Sequence, residues 1–322
     1  RTVDDRDRDV TALLQTRDNQ YVRDFPLTKY QGIAEPHALI FELAELNDRD
    51  FDEPPTVQLF LEGWVMPTDA TVNTALMQHP NLEMQLPRVE VIGRDGAWRP
   101  IAESVGFPSG KSKMVVVNLT NEFETDDHRV RLSTNMCIFW DRVFYTINEP
   151  DHDMNVSVLP VRAADLHWRG FSREYPRVPY GPTIPDYNVL DPDRSWRDLE
   201  GNYTRYGDVT ELLETRDDRY VISNAGDEIT LKFTAEFLPA LPEGWSRDYV
   251  IHTDGWLKDG DLTTVFGQTV APLPFHEMKK FPYEPDQTYP EDDELRDYHR
   301  KYNTRRVTQD AFRNKLRNAM PQ

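Results

Sequence analysis

Apolar and polar side chains alternate along much of the first half of the chain. In "TVQLFLEGWV", Val57, Leu59 and Leu61 alternate with Gln58, Phe60 and Glu62, the period of two of a half-buried strand. "KMVVVNLT" from Lys113 is rich in β-branched residues, "HRVRLSTN" from His128 alternates again, and "IFWDRVFYTIN" adds aromatic strand residues. "RVEVIGRDGAWRPIAE" from Arg88 reads as a hairpin that turns between Gly93 and Gly96. About eight short strands before residue 150 predict a mostly β protein whose residues 1–150 form an antiparallel, jelly-roll-like sandwich.

The texture then changes. "YPRVPYGPTIPDYNVLDPD" places five prolines in nineteen residues, too many for a central strand or a helix. Residues 151–204 are therefore expected to form a proline-rich, extended connection that wraps over a neighbouring surface, pinned by Tyr175, Tyr180 and Tyr187. A flexible linker is the alternative, although Gly/Ser-rich composition is missing.

A repeat gives the architecture. "DVTALLQTRDNQYV" at 9–22 returns as "DVTELLETRDDRYV" at 208–221, with ten of fourteen positions identical. Looser correspondences follow, and each copy ends on Gly-Trp with an Asp five residues beyond the Trp: Gly63-Trp64 with Asp69, and Gly255-Trp256 with Asp261. Residues 205–290 are thus expected to be a second β-module related to 9–75.

Residues 291–322 predict a short helical tail. "YPEDDELRDYHRKYN" runs from acidic to basic, as a helix dipole favours. "TQDAFRNKLRNAM" then places Phe312, Leu316 and Met320 at a spacing of four, with Thr308 as an N-cap. Arg305, Arg306, Arg313, Lys315 and Arg317 face a single Asp310 here, so Phe312, Leu316, Met320 and Arg313 are candidates for docking a partner with an acidic face.

Composition narrows the partners. A net charge of −19 opposes binding to a nucleic-acid backbone or to anionic lipid, and no apolar run is long enough to cross a membrane. Cys137 is the lone cysteine, which rules out an intrachain disulfide. The chain opens on Arg1 with neither a methionine nor an apolar signal segment, as a processed exported product or an excised domain does.

Chemistry is harder to find. Trp64 with Asp69, and Trp256 with Asp261, are candidates for stacking on a sugar ring and hydrogen-bonding its hydroxyls. The competing reading is that both tryptophans cap a core while glycine permits a tight exit from the strand. Acidic loops suggest calcium as the one metal to consider, with Asp259 and Asp261 as its ligands and solvated loops as the alternative. The eight histidines show no metal-ligand spacing, and no nucleophile-elbow, Walker A or dinucleotide-binding motif occurs.

Three stretches carry a resemblance: "RYGDVTELLETRDDRYVISNAGDEITLKF", "DGWLKDGDLTTVFGQTVAPLPFHEMKKFPY" and "YPEDDELRDYHRKYNTR". With "GFPSGKSKMVVVNLT" and "VRLSTNMCIFWDRVF", they resemble the C-terminal β-rich region of large exported bacterial proteins that carry FG-GAP (VCBS-like) repeats, some with an ASPIC/UnbV module. The resemblance spans roughly residues 88 to 305 and brings no catalytic residues with it. It implies a non-enzymatic module outside the cytoplasm, extracellular or in the periplasm and cell envelope, working beside a β-propeller. This chain lacks the D-x-D-x-D-G loops of the propeller. The expected function is an accessory subunit or binding module that meets other protein subunits through its surfaces. The alternative is a carbohydrate-active protein, a sugar-binding sandwich or a glycosidase.

Overall fold

The computed structural model describes all residues except 48–50, 82, 151–153, 177, 180, 192–197, 259–266 and 311–322. The chain is mostly β, with antiparallel sheets, and it divides into two units: Arg1–Asp153 with Glu174–Ile184, and Met154–Arg173 with Pro185–Gln322.

In the first unit the alternating stretches become strands. β1 (Thr2–Asp4), β2 (Ile33–Glu42), β3 (Val57–Val65) and the hairpin β4 (Arg88–Ile92) and β5 (Trp98–Pro100) come first in the chain. They are followed by β6 (Lys113–Asn118), β7 (Arg129–Met136) and β8 (Ile138–Ile147). One sheet runs β1-β2-β7-β4-β5 and the other β6-β3-β8, so two antiparallel layers enclose the core as a sandwich does. Leu39, Phe41, Leu59, Leu61, Val89, Val130 and Leu132 pack together there. Fully burying a side chain of this size contributes about 1.5–3 kcal/mol, and alternation keeps the intervening polar residues outside.

Two features of this unit lay outside the pattern. Helix α1 (Ala70–Gln78) follows β3, capped by the Asp69 carboxylate, which accepts the Val72 N–H at 2.7 Å. Cys137 is buried, and burial pushes its thiol pKa up to about 11, which fits a core residue rather than a nucleophile.

The second unit is built on a smaller sheet. β9 (Val161–Trp168) lies between β13 (Gly207–Asp208) and β14 (Asp227–Phe233). Helix α2 (Asp293–Tyr302) packs Leu295, Tyr298 and Tyr302 against Ala164 and Leu166 of β9. Its ends obey the charge reading: Asp292 caps the Leu295 N–H at 2.8 Å, acidic residues open the helix, and His299, Arg300 and Lys301 close it.

The proline-rich stretch is more regular than an extended wrap. β10 (Phe171–Pro176) and β11 (Thr183–Asp191) form a two-stranded ribbon. A ribbon of two strands has only edges, so Pro185 occupies a strand without breaking a ladder. Tyr175 and Tyr187 are exposed, and Tyr180 lies outside the described residues. β12 (Gly201–Tyr203) pairs with β15 (Arg305–Val307), which engages two of the tail's basic residues: Arg305 reaches Asp227 at 2.5 Å and Arg306 reaches Glu200 at 2.7 Å.

The repeated text makes repeated bonds. Asp9 Oδ1 accepts the Thr11 N–H at 2.9 Å, and Asp208 Oδ1 accepts that of Thr210 at 2.9 Å. The Val10 N–H donates to Thr2 O at 3.0 Å, and the Val209 N–H to Ala164 O at 2.9 Å. The Thr11 hydroxyl accepts the Thr2 N–H at 2.8 Å, and the Thr210 hydroxyl that of Ala164 at 2.9 Å. β9 is therefore the counterpart of β1. The second copy begins inside the stretch expected to wrap, and the ribbon is inserted between its first strand and its Asp-Val-Thr turn.

Candidate functional site

The two copies diverge at their third strand, and the divergence creates the site. In the first copy β3 is hydrogen-bonded on both sides, to β6 and to β8. Its counterpart, nine residues from Tyr249 to Leu257, is unassigned to any strand. Among the described residues no backbone–backbone hydrogen bond reaches 246–258. In the second unit α2 covers the sheet face that the β6-β3-β8 layer covers in the first, and this leaves the third strand without a core to join.

Side-chain burial inverts accordingly. Val57 and Leu59 are 1% exposed, whereas Tyr249 and Ile251 are 67% and 68% exposed. Val65 is 6% exposed and Leu257 96%, while Val250, the counterpart of Gln58, is 94% exposed. A run of large apolar side chains in water marks an interaction surface far more often than a scaffold.

The segment is held at one end by contacts the first copy also makes. Arg17 pairs with Glu62 at 2.9 Å, and Arg216 pairs with Asp254, the residue in Glu62's place. Tyr21 donates to Asn19 at 3.2 Å and meets the Trp64 ring edge-on at 6.4 Å. Tyr220 donates to Asp218 at 2.9 Å and accepts the Trp256 indole N–H at 3.0 Å. Trp64 is closed in, stacked on Phe139 of β8 at 4.8 Å and 5% exposed. Trp256 has no such neighbour among the described residues and is half exposed.

His276 is new to the second copy. Its Nδ1 lies 2.6 Å from Asp218 and its Nε2 lies 3.4 Å from Asp254, while its backbone N–H also donates to Asp218 at 2.8 Å. Both ring nitrogens donate at once only in the imidazolium. Asp218 foremost, then Asp254, hold the His276 pKa above its ordinary value. His276 in turn lowers that of Asp254, with Arg216 assisting. The result is a clamp: Asp218, His276, Asp254 and Arg216 fasten the strand's end, and Tyr220 fastens its tryptophan. The Tyr220 carbonyl accepts the Tyr298 hydroxyl at 2.5 Å, which ties the clamp to α2. Beyond Trp256, Lys258 donates to Val270 O at 2.8 Å and Pro272 O at 3.0 Å, and burial lowers its pKa to about 8.

Of the described residues singled out in the sequence, the structure brings Trp256 alone into this site. Trp64 caps a core cluster and Asp69 caps α1. Asp259, Asp261, Phe312, Arg313, Leu316 and Met320 lie outside the described residues. Among the described residues no group of three metal-ligating side chains is placed to hold an ion, and no helix is long and apolar enough to cross a membrane. Asp218, Tyr220 and Asp254 were legible by aligning the copies, since each replaces Asn19, Tyr21 or Glu62. His276 has no counterpart, and nothing set it apart from seven other histidines.

A cavity of about 460 Å³ opens elsewhere in the second unit, lined by residues that include Glu200, His299, Asn303 and Arg306. Among the described residues its one carboxylate, Glu200, is paired with Arg306, and neither Trp64 nor Trp256 lines it. No family model, curated protein or solved structure matches the chain.

Proposed function

We propose that the chain is a binding module of an exported assembly and that it acts by holding another protein on the open third strand of its second unit. The observation that carries this reading is the exposure of Tyr249, Val250 and Ile251, contiguous in the chain, and of Leu257, on one segment clamped at Trp256. Immersed together, these side chains forgo about 1.5–3 kcal/mol each, which burial against a partner recovers. The exposed apolar side chains favour the protein-binding reading over the carbohydrate-active one. Placement outside the cytoplasm rests on the resemblance to exported FG-GAP-associated proteins.

The test is a photo-crosslinking residue at Leu257, with a matched one at the exposed Arg94 of the first unit as control. Irradiation with extract from the native source should give a discrete protein adduct at 257 that is absent at 94 and lost when Val250 and Ile251 are changed to Asp. Equal labelling at both positions, or none at 257, ends the proposal.

A further inference from the structure

The Gly-Trp pair carries information that the site's exposure does not. In the first copy Gly63 is required: a Cβ there would lie 2.5 Å from Phe139 O and 3.1 Å from Trp140 Cα, both on β8. The glycine exists because a neighbouring strand's backbone passes against it. In the second copy a Cβ on Gly255 meets nothing within 4 Å. The second copy keeps the clearance for a strand that no described residue of its own chain supplies.

Three other observations converge on the same gap. The backbone from 246 to 258 makes no backbone–backbone hydrogen bond among the described residues, and an unpaired strand edge is a template for a ladder. Val57, Leu59 and Val65 are buried along the stretch where β3 pairs with β8, and their counterparts Tyr249, Ile251 and Leu257 are exposed. The first copy also displays the occupied form: β8 runs antiparallel to β3, placing Phe139 opposite Trp64 and Arg142 opposite Glu62, with Arg142 to Glu62 at 3.3 Å. Asp254 stands where Glu62 does but already has two cationic partners, Arg216 and His276, and the chain's net charge of −19 disfavours a second acidic copy as the occupant.

We propose that residues 249–257 are completed by an extended segment of a different polypeptide. It pairs antiparallel, as β8 does with β3, sets an aromatic residue against Trp256, and alternates apolar residues along its length. This is strand addition, in which backbone bonds supply affinity and alternate side chains supply selectivity. The inference rests on the protein-binding reading and specifies the partner's chemistry.

The test uses the full chain and a labelled peptide of β8 itself, residues 138–147 with lysine flanks, in fluorescence anisotropy. A second peptide, N-methylated at alternate residues, keeps the side chains and blocks the ladder. The β8 peptide should bind saturably, the N-methylated one at least tenfold more weakly. Gly255→Ala should weaken binding at least tenfold while the free chain's melting is unchanged. Equal binding of the two peptides, or wild-type affinity in Gly255→Ala, overturns strand addition. Failure of the β8 peptide to bind overturns it too, even where the Leu257 crosslink forms, because the partner is then held by other chemistry. No crosslink and no peptide binding removes both readings. Sedimentation that shows dimerisation sensitive to Gly255→Ala assigns the gap to a second copy and overturns the different-partner proposal.

Discussion

The Tyr220 hydroxyl accepts the indole N–H of Trp256 at 3.0 Å, whereas its counterpart Tyr21 touches Trp64 only ring edge to ring, at 6.4 Å. The same pair of residues is used once inside a core and once as a fastening in water. Tyr220→Phe removes the acceptor for Trp256 and the donor to Asp218 together, at a cost of about 0.5–1.5 kcal/mol for each bond. Tyr21→Phe removes the bond to Asn19, breaks no bond to its tryptophan and leaves the ring contacts in place, so it should cost less. Chemical denaturation of the two variants, with Trp256 indole exchange followed by NMR, checks the order. A larger loss in Tyr21→Phe would show that the clamp does not hold the segment.

His276 gives the clamp a pH dependence. Its folded-state pKa is raised by Asp218 and Asp254 above an unfolded value of about 6.5. The contribution is therefore complete below about pH 6.5 and is lost as pH rises through the raised pKa. Imidazole shifts should report that raised pKa directly. Stability of the second unit should fall over the same interval, and His276→Gln should flatten the fall. An unshifted titration in the wild type would dissolve the two-carboxylate arrangement.

The fates of the third strands predict opposite mutational responses. Leu59, 1% exposed in the core, should cost about 2–5 kcal/mol when changed to Ala. Its counterpart Ile251, 68% exposed, should change stability by less than about 0.5 kcal/mol when changed to Ser. Thermal melts of both variants are sufficient. A large loss in Ile251→Ser would place that side chain in a core.

How much of this was legible beforehand follows from where each signal lives. Alternation in β3, β6 and β7 is a local pattern, and the sandwich of the first unit follows from it. The repeat at 9–22 and 208–221 is also local text, and its bonds recur because Asp, Thr and Tyr act within a few residues of themselves. What escaped is non-local. β9 matches β1 through backbone bonds rather than sequence, so in the text alone the start of the second copy looks like part of the proline-rich wrapping connection. The third strand of the second copy has the letters of a strand, but a strand also needs neighbours, and here α2 occupies the sheet face where they would sit. The α1 cap at Asp69 was read as ligand chemistry because an Asp after a Gly-Trp does not announce which of its neighbours will need a hydrogen bond.

The last prediction concerns Asp141, at the hinge of the first copy's closed arrangement. This β8 carboxylate is 1% exposed. Its Oδ1 accepts the N–H of Asn19 at 2.9 Å and of Asp18 at 3.3 Å, while its Oδ2 has no hydrogen-bond partner among the described residues. Burial raises its pKa, the two backbone bonds oppose the rise, and the nearby Asp18 and Glu62 charges add to it. The folded state thus holds the Asp141 proton more tightly than the unfolded chain does, whose value is about 3.9. Stability from this group is complete below about pH 3.9 and declines as pH rises through the raised value, so at neutral pH the ionised carboxylate is a net burden. Asp141→Asn keeps an oxygen for the two N–H groups and removes the charge. It should raise the melting temperature at pH 7, and the gain should vanish near pH 3. Asp141→Ala instead orphans both buried N–H groups and should lower stability by about 1–3 kcal/mol for each. Melting curves of both variants across that pH range separate the two effects. If Asn proves destabilising at pH 7, the charge itself is needed, and the two backbone bonds outweigh its burial.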